Sequence, residues 1–231
     1  MQIYGLQKLT LLDYPDKMAC TLFTGGCNFR CPFCHNASLV TDLGVPLDTE
    51  NIISFLRKRR GVLDGVCVTG GEPLLHSDIA ELLSEIKELG YKVKLDTNGA
   101  FPDHLQKLVG QNLIDYAAMD VKSSPTGYAA AVGLPGFDIT PINESIRFLL
   151  LGTVEYEFRT TAVKGLHTSE DFDAIGDWIR GARRYYLQNY ADSGDILDNT
   201  NNFEPFSKAQ LEIFLASVKP KVKFAALRGT D

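Results

Sequence analysis

Two hydrophobic periods take turns along this chain, and their alternation restricts what it can fold into. Residues 18–24, 66–69, 91–97, 115–121, 154–162 and 184–190 are short, apolar runs rich in β-branched or aromatic residues, which is how strands read. Helical stretches lie between them, near 48–59, 79–89, 102–109, 141–151 and 169–181. A last helix (207–218) and a short strand (222–226) follow. The clearest helix carries Ile79, Leu82, Leu83, Ile86 and Leu89 on one face. Asp78 with Glu81 is placed as its capping box and Gly90 as its stop. This alternation predicts an α/β fold with a parallel sheet and right-handed crossovers. A complete eight-unit barrel takes ~250 residues. With about six units, the 231 residues here predict a partial, open (β/α)6 barrel, the alternative being a doubly wound open sheet.

Period-two alternation within the strands sharpens that expectation. If helices cover the outer face of a barrel, the apolar set points outward and the polar set inward. Lys94, Asp96, Asp120, Lys122, Glu155, Glu157 and Arg159 then share the interior. A small closed barrel cannot bury that many unpartnered charges, whereas an open one holding a large polar ligand can. In either architecture ligands gather at the C-terminal ends of the strands.

The sequence has 45% hydrophobic and 23% charged residues and a net charge of −6, which excludes a disordered chain and argues against a broad nucleic-acid footprint or a basic membrane-binding surface. No run approaches the ~18 apolar residues of a membrane span, and the N-terminus does not read as a signal peptide, so a cytoplasmic protein with reduced thiols is expected.

Three of the five cysteines, Cys27, Cys31 and Cys34, lie in one loop after the first predicted strand, at the spacing C-x3-C-x2-C. Thiolates at such spacing hold iron–sulfur clusters or zinc. A structural zinc needs a fourth ligand. Cys20 and Cys67 read as buried strand residues, and His35 is too close in sequence to Cys34 to share an ion with it comfortably. Three thiolates suit a [4Fe–4S] cube whose fourth iron stays open to a ligand. Thr69-Gly70-Gly71-Glu72-Pro73 closes the second predicted strand, Asp96-Thr97-Asn98-Gly99 the third and Met119-Asp120-Val121-Lys122 the fourth. The paired glycines let backbone approach a ligand closely.

Together these segments resemble the radical S-adenosylmethionine (SAM) enzymes. The resemblance implies a partial barrel of the radical SAM type over 1–190, with 191–231 as a C-terminal extension packed on it. It implies one [4Fe–4S] cluster on Cys27, Cys31 and Cys34, whose open iron is chelated by the amino and carboxylate groups of SAM. Cleavage of SAM then gives methionine and a 5′-deoxyadenosyl radical. Phe33 matches the aromatic residue near the adenine, and Gly70, Gly71 and Glu72 match the motif that binds the methionine amino group. Asp96, Thr97, Asp120 and the Ala118 carbonyl match a monovalent-cation site near the SAM carboxylate. Lys122 would sit near SAM or the incoming peptide, Arg159 on the carboxylate and Gln188 near the ribose.

The opening GLQKLTLLDYPDK, with GCNFRCPFCHN, resembles the short activases of anaerobic ribonucleoside-triphosphate reductase. Pyruvate formate-lyase activases read DGPG-x-R where this chain has DYPDK, so Asp16 stands in place of a glycine. The implied partners are a glycyl-radical enzyme and, because no second cysteine cluster separates Cys34 from Val66, a flavodoxin or ferredoxin as external electron donor. The acidic stretch 192–204 is a candidate for docking the partner or a plain solvated loop. Two other readings compete: a small-molecule radical SAM enzyme like 7-carboxy-7-deazaguanine synthase, and a non-catalytic iron–sulfur or zinc module. Arg57–Arg60 reads as a helix C-terminus, Trp178 as core, and His76, His104 and His167 as surface or capping residues.

Overall fold

A computed structural model of the chain describes residues 1–198, 200 and 203–229. One eight-stranded sheet runs in strict chain order: β1 (Ile3–Thr10), β2 (Ala19–Thr24), β3 (Gly65–Gly70), β4 (Lys92–Thr97), β5 (Tyr116–Asp120), β6 (Glu155–Ala162), β7 (Tyr185–Asn189) and β8 (Ala225–Arg228). From β2 to β8 every neighbouring pair is parallel. The crossovers carry α1 (Ser38–Thr41) and α2 (Thr49–Lys58), then α3 (Ile79–Glu88), α4 (Pro102–Gly110), α5 (Tyr128–Ala131) with α6 (Thr140–Leu150), α7 (Ser169–Trp178) and α8 (Lys208–Val218). β2 through α8 therefore make the six expected strand–helix units, and β1 and β8 are the two free edges of an open barrel.

The alternation reads as expected. Val66, Val68, Val93, Leu95, Tyr156, Phe158 and Leu187 are buried apolar residues of the helix-covered face. Their neighbours Cys67, Lys94, Asp96, Asp120, Glu157 and Arg159 point into the lumen, where they bond one another or line its cavity. Glu155 is the exception. It is the first residue of β6, where the lumen meets solvent, and it turns out to Arg183 and Arg184. Asp78 does not cap α3; its carboxylate takes the chain's N-terminal ammonium instead.

β1 had no clear strand signature. It pairs antiparallel with β2, and its register shifts twice, between Ile3 and Gly5 and between Gln7 and Thr10. Those irregularities break the period-two pattern that would have announced it. The turn after it keeps Asp16 at φ 58°, so the glycine-favoured conformation survives the replacement of glycine by aspartate. Tyr14 from the same turn is buried against Tyr116, with ring centroids 5.9 Å apart.

At the N-terminal end of the strands the lumen has a floor. Glu157 is fully buried and receives both arms of the Arg228 guanidinium (2.8 and 3.2 Å) and the Tyr116 hydroxyl (2.8 Å). The guanidinium lies 3.6 Å from the Tyr186 ring centroid. β8 thus reaches the floor from the far edge of the sheet.

Candidate active site

The other end of the lumen opens into a cavity of about 320 Å³ lined by the cysteine loop, the ends of β2 to β6 and Gln188 of β7. That volume is in the range of small-ligand pockets. Cys27, Cys31, Cys34, Phe33, Gly70, Gly71, Glu72, Asp96, Thr97, Asp120, Lys122 and Arg159 all line it. Strand ends and one loop bring together residues separated by more than 130 positions in sequence.

The cysteine loop is fixed from three sides. Arg30 N–H donates to the Val132 carbonyl (2.9 Å), and Glu72 N–H to the Gly26 carbonyl (2.8 Å). A Cβ on Gly71 would lie 1.8 Å from the Gly26 oxygen, so this approach requires glycine. From the third side, Leu197 and Asp198 N–H groups donate to the Cys34 and Pro32 carbonyls (3.1 Å each), and Ser193 Oγ donates to the His35 carbonyl. Segment 193–198 had been a polar loop in sequence, because main-chain bonds of this kind leave no residue signature. The stretch proposed for docking, 192–204, includes positions 199, 201 and 202, which lie outside the described residues.

The three thiols line the same cavity. Burial pushes the Cys31 thiol up to about 12, with the Lys122 ammonium pulling it the other way and Cys27 and Cys34 reinforcing the rise. Among the described residues no three His, Cys, Asp or Glu side chains converge on a single ion. A four-coordinate zinc requires such convergence. A cube does not, since each thiolate takes a separate iron. Three cysteines of one loop lining one cavity are a donor set that fits a [4Fe–4S] cluster, with Cys27, Cys31 and Cys34 each on a separate iron.

Glu72 sits at the turn after β3 with no exposed surface. It accepts from Leu74 N–H (3.1 Å), Thr97 Oγ1 (2.7 Å) and Asn98 N–H (2.7 Å). Burial raises its carboxyl to about 7 in spite of these donors. Of the carboxylate's roughly four lone-pair sites, three are engaged within the protein. Asn98, which sequence reasoning did not single out, bridges the two motifs: its amide donates to Asn28 Oδ1 (2.8 Å) beside Cys27. The segment DTNG contained it, but nothing in that segment said which way its side chain would turn.

The strand-end charges form one chain. Arg159 donates through Nε to Asp120 (2.8 Å) and through Nη1 to Asp96 (3.0 Å). Lys122 holds the other Asp120 oxygen (2.9 Å), and Lys94 the other Asp96 oxygen. Burial would raise both carboxyls. Arg159 with Lys94 outweighs it at Asp96, and Arg159 with Lys122 at Asp120, and both are held below the usual carboxylate range. His167, expected as a surface or capping residue, is buried beneath this end. Its Nδ1 accepts from Val163 N–H and its Nε2 meets the Lys122 carbonyl (2.9 Å), while its ring lies 6.4 Å from that of Phe33. His76 and His104 each bond a loop carbonyl (2.8 and 3.0 Å). Thr97 Oγ1 is also engaged, donating to Glu72 and accepting from Gly99 N–H. Each side-chain ligand expected for a monovalent cation thus already has a partner within the protein, and the partners of the two carboxylates are three cations, which leaves this pair no unbalanced negative charge for such an ion.

Residues 21–149 match the family model of the radical SAM superfamily. The chain belongs to that superfamily. A protein of Methanocaldococcus jannaschii named as a glycyl-radical enzyme activating enzyme is 32% identical over 195 residues, covering 81% of this chain and 79% of that protein. A 7-carboxy-7-deazaguanine synthase of Methanopyrus kandleri is 27% identical over 175 residues, 62% of this chain and 66% of its own. The crystal structure of Streptococcus suis SuiB superposes with a TM-score of 0.69 over 90% of this chain at 15% identity, and this chain spans about half (48%) of that one. The fold is the partial barrel of radical SAM enzymes, which use a [4Fe–4S] cluster and SAM. Among the described residues no helix is long and apolar enough to cross a membrane.

Proposed function

We propose that this radical SAM protein activates a glycyl-radical enzyme, anaerobic ribonucleoside-triphosphate reductase, by removing a hydrogen atom from a glycine Cα. The similarity to the M. jannaschii activating enzyme, which spans 81% of the chain, carries this reading. When bound, the cluster and SAM supply a reducing electron and a 5′-deoxyadenosyl radical, with methionine released and the electron drawn from a flavodoxin or ferredoxin.

The chain's own residues bind and orient. Cys27, Cys31 and Cys34 would hold the cluster, Gly70, Gly71 and Glu72 the methionine amino end, and Arg159 and Lys122 the carboxylate, where an anion meets two fixed cations. Phe33 and Gln188 line the cavity where adenine and ribose would lie. Leu43 and Leu75, next to Gly25 and Gly26 at the start of the cysteine loop, are exposed, an apolar margin suited to a protein substrate.

The decisive assay is anaerobic. Reconstituted protein should carry about four irons per chain, give an EPR signal that SAM alters, and release 5′-deoxyadenosine. Mixed with a candidate reductase, it should produce a glycyl-radical doublet on the partner. Deoxyadenosine without that doublet, and turnover of a carboxylated pterin, would replace this reading with the deazaguanine-synthase one, which the 27% similarity keeps in view. One zinc and no SAM cleavage would leave a structural module.

A further inference from the structure

Lys94 was expected only to face the lumen. Its side chain is 1% exposed, and its ammonium bonds Asp96 Oδ1 from below, 3.8 Å from Cys67 Sγ. All four oxygens of Asp96 and Asp120 now have a cationic donor: Lys94 and Arg159 on Asp96, Arg159 and Lys122 on Asp120. Three cations face two carboxylates, an excess of one positive charge. A further monovalent cation would double that excess in a buried setting, where like charges repel far more strongly than in water. A single carboxylate arriving from the cavity would cancel it.

We propose that the Lys94 ammonium is a built-in cation that does the work of a bound monovalent ion at the carboxylate end of SAM. It neutralises Asp96 from beneath, which leaves the surplus positive charge of Arg159 and Lys122 to meet the incoming carboxylate. SAM binding by this protein is therefore independent of potassium and sodium. Cys67 lies at van der Waals range from the ammonium and offers it no competing carboxylate. The inference rests on SAM binding at this rim and is indifferent to which hydrogen the radical removes.

The test is SAM affinity of the reconstituted protein, measured by equilibrium binding with choline as the only cation and again with potassium or sodium at about 0.1 M and constant ionic strength. The wild-type Kd should change less than about twofold between the salts. Lys94→Met should bind SAM about tenfold or more weakly in choline and recover in potassium or sodium. A thallium soak of crystals should place anomalous density between Asp96 and Asp120 in the variant and none there in the wild type. A wild-type affinity that collapses in choline, or a Lys94→Met protein that binds SAM normally in choline, would overturn the proposal. If Lys94→Met does not fold, Lys94→Gln replaces it, and the wild-type salt comparison decides alone. Cation-dependent binding with glycyl-radical formation intact would remove this inference and leave the activase reading standing.

Discussion

The two ends of the lumen are built from the same strands with the same residue types, yet they are finished differently. β6 contributes to both: Glu157 to the floor and, two residues on, Arg159 to the rim. On the floor one carboxylate faces one guanidinium in two parallel bonds, a tyrosine hydroxyl completes the set, and an aromatic ring covers the cation. On the rim three cations share two carboxylates, and the surplus charge points at a cavity. Matched charge closes a barrel end, and mismatched charge leaves it ready for a ligand. Glu72 adds a third state, a buried carboxylate with hydrogen-bond donors but, among the described residues, no cation bonded to it.

The floor should break most severely. Glu157→Ala removes the only carboxylate bonded to Arg228 among the described residues and leaves the Tyr116 hydroxyl without its acceptor. Removing one partner of a buried pair costs about 3–5 kcal/mol. For a chain of this size that is a fall in Tm of roughly 10 °C. SAM affinity of the folded variant should stay within about threefold of wild type, since Glu157 does not reach the cavity. A large loss of SAM binding with unchanged Tm would mean that floor and rim are one unit.

Glu72 should show itself through pH. Its folded-state carboxyl is raised from an ordinary 4.5 to about 7, so between those values the folded chain keeps a proton that the unfolded chain has released. Stability is then highest below 4.5 and falls as pH rises through about 7. At about 1.4 kcal/mol per pH unit the contribution is on the order of 3 kcal/mol. Glu72→Gln should remove that slope from unfolding curves of the cluster-free protein between pH 5 and 8. From pH 5 to 8 the variant should lose less stability than the wild type, because glutamine has no charge to bury. An unchanged slope would show that another group titrates there.

Most of this architecture was legible because burial on one face is what period-two alternation records. The six strand–helix units, the cysteine loop and the rim residues follow from it and from local motifs. What escaped was set by partners distant in sequence. β8 lies at Ala225–Arg228 rather than 222–226, where Arg228 meets Glu157 71 residues away. Glu155 has the same parity as Glu157 but sits where the strand leaves the barrel. His167 looks like a helix-start residue, and only the β5–β6 geometry puts it under Lys122. Lys94 announced its face but not its partner, since alternation gives a side and never a distance.

The subtlest expected effect separates rim from floor most cleanly. Arg159→Met takes away the guanidinium that spans Asp96 and Asp120, yet each carboxylate keeps a cation of its own, Lys94 for one and Lys122 for the other. The rim then carries two cations against two carboxylates and loses its surplus charge. Tm should therefore fall less than in Glu157→Ala, while SAM affinity weakens by about 10–100-fold, the worth of a charge-assisted hydrogen bond to a carboxylate. Arg159→Lys restores the charge but not the fork, and should recover only part of that loss. Equilibrium SAM binding and thermal unfolding on the same preparations measure both quantities. If Arg159→Met instead unfolds as readily as Glu157→Ala and binds SAM normally, the rim charges hold the fold together just as the floor charges do, and the surplus positive charge has no part in recognising the ligand.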